Sequence, residues 1–112
     1  MHRCIFCQFL EGTVPCTKSY ENDRVSSFID WNKWKGVHIV VYPKKHIGFQ
    51  QHGLPALEQA KQDLRSAIPK IVQFENLEDD FTVLDFDDES SVCQDEEHIH
   101  IHITGKRKID SR

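Results

Sequence analysis

The chain has 112 residues, 38% of them hydrophobic, with 18 acidic against 14 basic side chains and a formal net charge of -4. That length supports a real core within one domain, residues 1–112, and excludes two domains. The mild acidity argues against strong nucleic-acid binding or an anionic membrane as main partner, and no apolar run is long enough to cross a bilayer.

Met1-His2-Arg3-Cys4 lacks the apolar stretch of a secretory signal, so a reducing cytoplasm is the expected setting, with the 4 cysteines as thiols or metal ligands rather than disulfides. Cys4-x-x-Cys7 has the separation of half a zinc site, but no second such pair follows. On spacing alone it is equally a redox pair or two small buried hydrophobes. Lys18 to Tyr20 pairs as a short hairpin, through a turn at Glu21-Asn22-Asp23, with a strand from Val25 to Asp30. Val37 to Tyr42 is a stronger strand, rich in β-branched residues and closed by Pro43.

Leu54, Leu57, Leu64, Ala67, Ile68, Ile71 and Val72 recur at helical spacing. They predict an amphipathic helix over residues 54–75, with a kink at Pro69. Phe81 to Phe86 reads as a strand. The segment from Asp79 to Glu97 carries nine acidic residues and reads as a solvated loop around that strand. The last strand, 98–104, ends at Gly105. Strands with short turns, one long helix and two closing strands predict an α+β domain, its antiparallel sheet covered on one face.

That last strand is the most informative stretch. In His98-Ile99-His100-Ile101-His102-Ile103, successive side chains point to opposite faces, so three imidazoles line one face and three isoleucines the other. Burial of the isoleucines pins the register, because a slip of one residue would drive the imidazoles into the core. Such a row suits a metal centre with ligands on the triad itself, nucleophilic catalysis by one imidazole with its neighbours moving protons, or simply a solvated polar face.

Cys4-Ile5-Phe6-Cys7, Phe28-Ile29-Asp30, His38-Ile39-Val40-Val41-Tyr42-Pro43-Lys44-Lys45-His46 and His98-Ile99-His100-Ile101-His102 together form a recognisable series. It resembles the histidine-triad (HIT) superfamily of nucleotide hydrolases and transferases, in its small zinc-bearing Hint-like branch. The resemblance runs from Cys4 to about Arg107 and is most specific at the triad. It implies a HIT-like α+β fold with an antiparallel sheet of about five strands, one long helix and a short N-terminal helix.

The resemblance also implies roles. His100 becomes the nucleophile that takes up a nucleotidyl group from the α-phosphorus. His102 contacts the phosphate and assists the leaving group, and His38 joins the proton relay. Cys4, Cys7, His46 and His98 hold one structural zinc, their four donors filling a tetrahedral shell. Asp30 binds ribose hydroxyls of a purine nucleotide, although a strand-end turn residue is an equal reading of it. Trp31 and Trp34 are candidates for stacking on the base, and equally for the core or a subunit contact. A homodimer is implied through the helix and a central strand, with Val37 to Tyr42 and the helix from Leu54 supplying the apolar surface.

Some positions depart from the family pattern. Cys93-Gln94-Asp95-Glu96 stands where Gly-Gln-Ser-Val is usual, so Asp95 replaces a phosphate-contacting serine. Asp87, counted with the nucleotide-binding residues, replaces an asparagine. Gly36-Val37 stands where Pro-Gly or Pro-Thr usually precedes the relay histidine. The expected activity is hydrolysis of nucleoside phosphoramidates or related nucleotidyl conjugates. The alternatives are a dinucleoside polyphosphate hydrolase and a non-catalytic nucleotide-binding or interaction module.

Overall fold

The computed structural model describes residues 4–30, 36–47, 55–84 and 98–108. In chain order they form α1 (Ile5–Glu11), β1 (Thr17–Glu21), β2 (Val25–Ile29), β3 (Val37–Pro43), α2 (Pro55–Phe74), β4 (Thr82–Leu84) and β5 (Ile101–Gly105). The strands build one antiparallel sheet in the order β1-β2-β3-β5-β4. The predicted α+β class, strand count and two helices are therefore present. No helix among the described residues is long and apolar enough to cross a membrane.

Period-two patterning explains the two faces of the sheet. Ile39 pairs with Ile103 and Val41 with Ile101 across β3 and β5. Together with Ile99 these side chains are fully buried, in one core with Leu57, Ala60, Leu64, Ala67 and Ile71 of α2. Each large aliphatic side chain buried there contributes about 1.5–3 kcal/mol of transfer free energy. The next residues along β3, His38, Val40 and Tyr42, fall on the opposite face. Cys4 and Phe6 of the α1 segment pack there against Val40 and Tyr42. The sheet is thus covered on its second face too, at one end, where sequence patterning predicted cover on one face only.

Several boundaries differ from expectation. The last strand begins at Ile101 rather than His98. The reason is local: Ile99 N–H donates to the Ile47 carbonyl beyond the end of β3, so residues 98–100 follow β3 by a single backbone bond rather than a ladder. β4 starts at Thr82 instead of Phe81, and 85–86 lie outside the described residues. α2 continues through Pro69 to Phe74. A bulge in β1 between Lys18 and Glu21 is bridged by Ser27, whose hydroxyl donates to the Tyr20 carbonyl and accepts from the Tyr20 N–H.

The apolar surface expected to drive dimerisation is spent inside the chain. β3 is paired on both edges, by β2 and β5, and the apolar face of α2 is buried against its own sheet. Among the described residues, the edge strands of the sheet are β1 and β4. Two large apolar side chains among the described residues are exposed, Ile5 and Phe74.

Gly36 has a backbone conformation that only glycine readily adopts. Its φ is 116°, and a Cβ there would lie 2.5 Å from the Gly105 carbonyl oxygen, so the tight start of β3 beside the end of β5 admits no side chain.

Candidate active site and metal cluster

Three of the four expected metal ligands sit at ends of elements or just beyond them. Cys4 caps α1, Cys7 lies one turn along that helix, His46 follows β3 and His98 precedes β5. Their donor atoms all lie within 4.8 Å of one another. Cys4 Sγ and Cys7 Sγ are 3.2 and 3.8 Å from His98 Nδ1, and Cys7 Sγ is 3.2 Å from His46 Nδ1. A tetrahedral zinc with bonds of about 2.3 Å to sulfur and 2.0 Å to nitrogen spaces a sulfur and a nitrogen ligand by roughly 3.5 Å, so the cluster fits such an ion.

The chemistry of His98 agrees with this. Its Nε2–H donates to the Pro43 carbonyl at 2.8 Å, which places the ring lone pair on Nδ1, toward both sulfurs. A carbonyl that fixes the tautomer from behind the donor atom is the usual support for a metal-bound imidazole. No disulfide joins Cys4 to Cys7. Among the described residues this is the group with metal-ligand geometry, and it includes one triad histidine rather than all three.

The other two triad rings have different partners. His100 Nδ1–H donates to the His98 carbonyl at 3.0 Å, which leaves the lone pair on Nε2. Phe6 covers this region, with its ring centroid 4.8 Å from His100 and 5.2 Å from His98. His102 Nδ1 lies 2.8 Å from His38 Nε2, the two residues being diagonal neighbours across β3 and β5. Burial pushes the His102 imidazole down to about 4, with His100 and His38 acting in the same direction and Asp30 opposing. His102 is therefore neutral at physiological pH. Asp30 Oδ2 is 3.5 Å from His38 Nδ1.

The structure thus brings together His38, His100, His102 and Asp30 on one side of the sheet, and Cys4, Cys7, His46 and His98 beside them. Trp31, Trp34, Asp87 and Asp95 lie outside the described residues. Sequence reasoning missed Phe6, which touches both a cluster histidine and His100. Its one signal was its place between Cys4 and Cys7. It also missed the aromatic group of Phe9 and Phe28 around Phe6, with Phe9 and Phe28 centroids 4.8 Å apart.

A sheet with a row of histidines on one face, beside a two-cysteine, two-histidine cluster that could hold a metal ion, has the architecture of a histidine-triad protein. The HIT domain model matches residues 11–109, and the chain belongs to that family, in its Hint-like branch. It is 32% identical to the 14 kDa zinc-binding protein of Zea mays over 110 residues, which cover 95% of this chain and 84% of that one. Similarity to the adenosine 5'-monophosphoramidase of Candida albicans is 25% identity over 111 residues, 93% of this chain and 70% of that one. The structure of a histidine triad protein from Clostridium difficile aligns with a TM-score of 0.74 and 31% identity, covering 100% of this chain and 99% of that chain.

Proposed function

We propose that residues 1–112 act as one HIT-like unit that hydrolyses nucleoside phosphoramidates or related nucleotidyl conjugates at the α-phosphorus, through a nucleotidyl-histidine on His100. The observation that carries this reading is the bond from His100 Nδ1–H to the His98 carbonyl, because it leaves a nucleophilic lone pair on Nε2 of a ring whose tautomer is fixed. The phosphoramidase name of the Candida albicans relative supports the substrate class.

In the first half-reaction His100 Nε2 bonds to phosphorus and the phosphorus–amine bond breaks. An arriving phosphate anion favours the imidazolium form of His102 against its burial, and the proton taken up on binding passes to the departing amine. In the second half, water bonds to phosphorus, the phosphorus–histidine bond breaks and His102 accepts the water proton. Net consumption is one water per conjugate, giving a nucleoside monophosphate and an amine. Asp30 accepts hydrogen bonds from the ribose hydroxyls of a purine nucleotide. Trp31 and Asp87 complete the nucleotide-binding set. Cys4, Cys7, His46 and His98 hold a structural zinc that ties α1 to the sheet.

The test is a panel of adenosine and guanosine phosphoramidates with ³²P at the α-position, quenched at short times under conditions that spare phosphorus–nitrogen bonds. Labelled protein should accumulate in the first turnover and decay as nucleoside monophosphate forms. Fast hydrolysis without labelled protein rules out the covalent route.

The protein is further proposed to work in the cytoplasm as a homodimer, an isologous pair being the commonest small assembly. Light scattering at micromolar concentration should give twice the 13.1 kDa chain mass. A stable monomer ends that proposal.

A further inference from the structure

The backbone holds Asp30 against His38. Asp30 N–H donates to the His38 carbonyl at 2.8 Å, extending the β2–β3 ladder beyond the Ile29 and Ile39 pair. Asp30 Oδ2 then lies 3.5 Å from one nitrogen of the His38 ring, Nδ1, while the other, Nε2, lies 2.8 Å from His102 Nδ1. The far nitrogen of His102, Nε2, is buried and has no hydrogen-bond partner among the described residues. A carboxylate and two imidazoles thus form a line that ends at one buried nitrogen.

Such a line has two neutral proton arrangements. In one, His38 keeps its proton on Nδ1, facing Asp30. Its Nε2 accepts from His102 Nδ1–H, and the His102 lone pair is on Nε2. In the other, each proton is on the opposite nitrogen of its ring, and His38 turns a lone pair toward the carboxylate. Both arrangements contain the same single bond between the two rings, so they differ in what His38 Nδ1 presents to its surroundings, and the Asp30 carboxylate stands 3.5 Å from that nitrogen. An ionised carboxylate has only acceptor capacity, so an N–H dipole facing it is attractive and a lone pair facing it repulsive. At 3.5 Å the contact is longer than a good hydrogen bond, but its sign is unambiguous.

We propose that Asp30 is a positioning residue that sets the proton direction of the His38 and His102 pair, so that the His102 lone pair resides on Nε2. The consequence for catalysis rests on the hydrolase reading above. A proton taken up at that nitrogen is the one delivered to the leaving group, and a reversed relay would already carry a hydrogen there and have no lone pair to accept the water proton. The role is separate from ribose contact. With 44% of its side chain exposed, Asp30 can accept from ribose hydroxyls while Oδ2 faces His38. A carboxylate that fixes an imidazole tautomer is the same logic that serves catalytic triads.

The test is nitrogen NMR of ¹⁵N-histidine-labelled, ligand-free protein, in which protonated and unprotonated ring nitrogens have distinct shifts. His38 and His102 should both be Nδ1–H tautomers in the wild type, with the Nε2–H form of His102 growing in Asp30→Asn and Asp30→Ala. An Nε2–H pair in the wild type overturns the proposal, and so do tautomers unchanged in both variants. The kinetic arm uses 2',3'-dideoxynucleoside phosphoramidates, which offer no ribose hydroxyl. On these the kcat of Asp30→Asn should fall by about tenfold or more. A loss confined to KM on ribonucleoside substrates overturns the catalytic role. A wild type that hydrolyses no conjugate refutes the hydrolase reading, while the spectra still decide what Asp30 does to the relay.

Discussion

His100→Ala should lower turnover of a nucleoside phosphoramidate by at least about 10³-fold, equivalent to roughly 4 kcal/mol of lost transition-state stabilisation. The substitution removes the atom that bonds to phosphorus, and no neighbouring ring can replace it. His98 Nδ1 faces the two cysteines, and the buried Nε2 of His102 is the atom that carries the leaving-group proton in the proposed reaction. Folding should survive, because the core side of this segment consists of Ile99, Ile101 and Ile103, all fully buried and untouched by the change. What is lost structurally is the packing of the His100 ring on Phe6 and one hydrogen bond to the His98 carbonyl. That costs about 1–2 kcal/mol, a few degrees in Tm for a chain of this size. Nucleotide affinity should be retained within about tenfold, since the ring is not a ribose or base contact. Steady-state kinetics, a thermal melt and calorimetric titration with a nucleoside monophosphate together check these statements. A variant that still turns over at wild-type rate, or still acquires label from the α-phosphorus, places the nucleophile elsewhere.

The residues behind that prediction differ in how visible they were in the sequence. Ile99, Ile101 and Ile103 declared themselves because a period of two is the direct imprint of a half-buried strand, and the helix from Pro55 to Phe74 showed through its 3.6-residue spacing. The start of β5 did not. Alternation continues through His98 and His100, but ladder pairing stops at Ile101, because the partner of Ile99 N–H lies beyond β3, at Ile47. Patterning reports which face a side chain takes and is blind to where backbone partners run out. The contact between Asp30 and His38 was hidden for a related reason. It needs the register of β2 on β3, which is fixed by all five of their residue pairs together. Phe6 is the clearest omission. Its neighbours His98 and His100 lie at the other end of the chain, so only the closed fold brings them together. The four residues of the candidate metal cluster were named through resemblance and not through spacing, since Cys4-x-x-Cys7 alone is half a site.

Removal of zinc should be the largest single perturbation of stability. The cluster draws on α1, on the segment after β3 and on His98 ahead of β5, so an ion held there cross-links three parts of the chain. An ion that binds the folded chain alone, at a free concentration about 1,000-fold above its Kd, stabilises by about 4 kcal/mol. For 112 residues that corresponds to roughly 15 °C in Tm. Protein purified under reducing conditions should contain one zinc per chain, and Cys4→Ser, Cys7→Ser or a strong chelator should remove it and lower Tm by about that amount. The sheet core, built from side chains on the far face, should still fold, and circular dichroism should retain its strand and α2 signals. α1 is the element expected to detach, since Phe6 and Cys4 join it to Val40 and Tyr42 in a small cluster of their own. Because Phe6 also rests on His100, the metal-free protein should lose activity by way of the wall beside the nucleophile, with no metal–substrate contact involved. Two results would refute this account: zinc that survives both cysteine substitutions and is lost in His100→Ala, which would put the ion on the triad, or reduced, metal-free protein with Cys4 and Cys7 joined as a disulfide and an unchanged Tm.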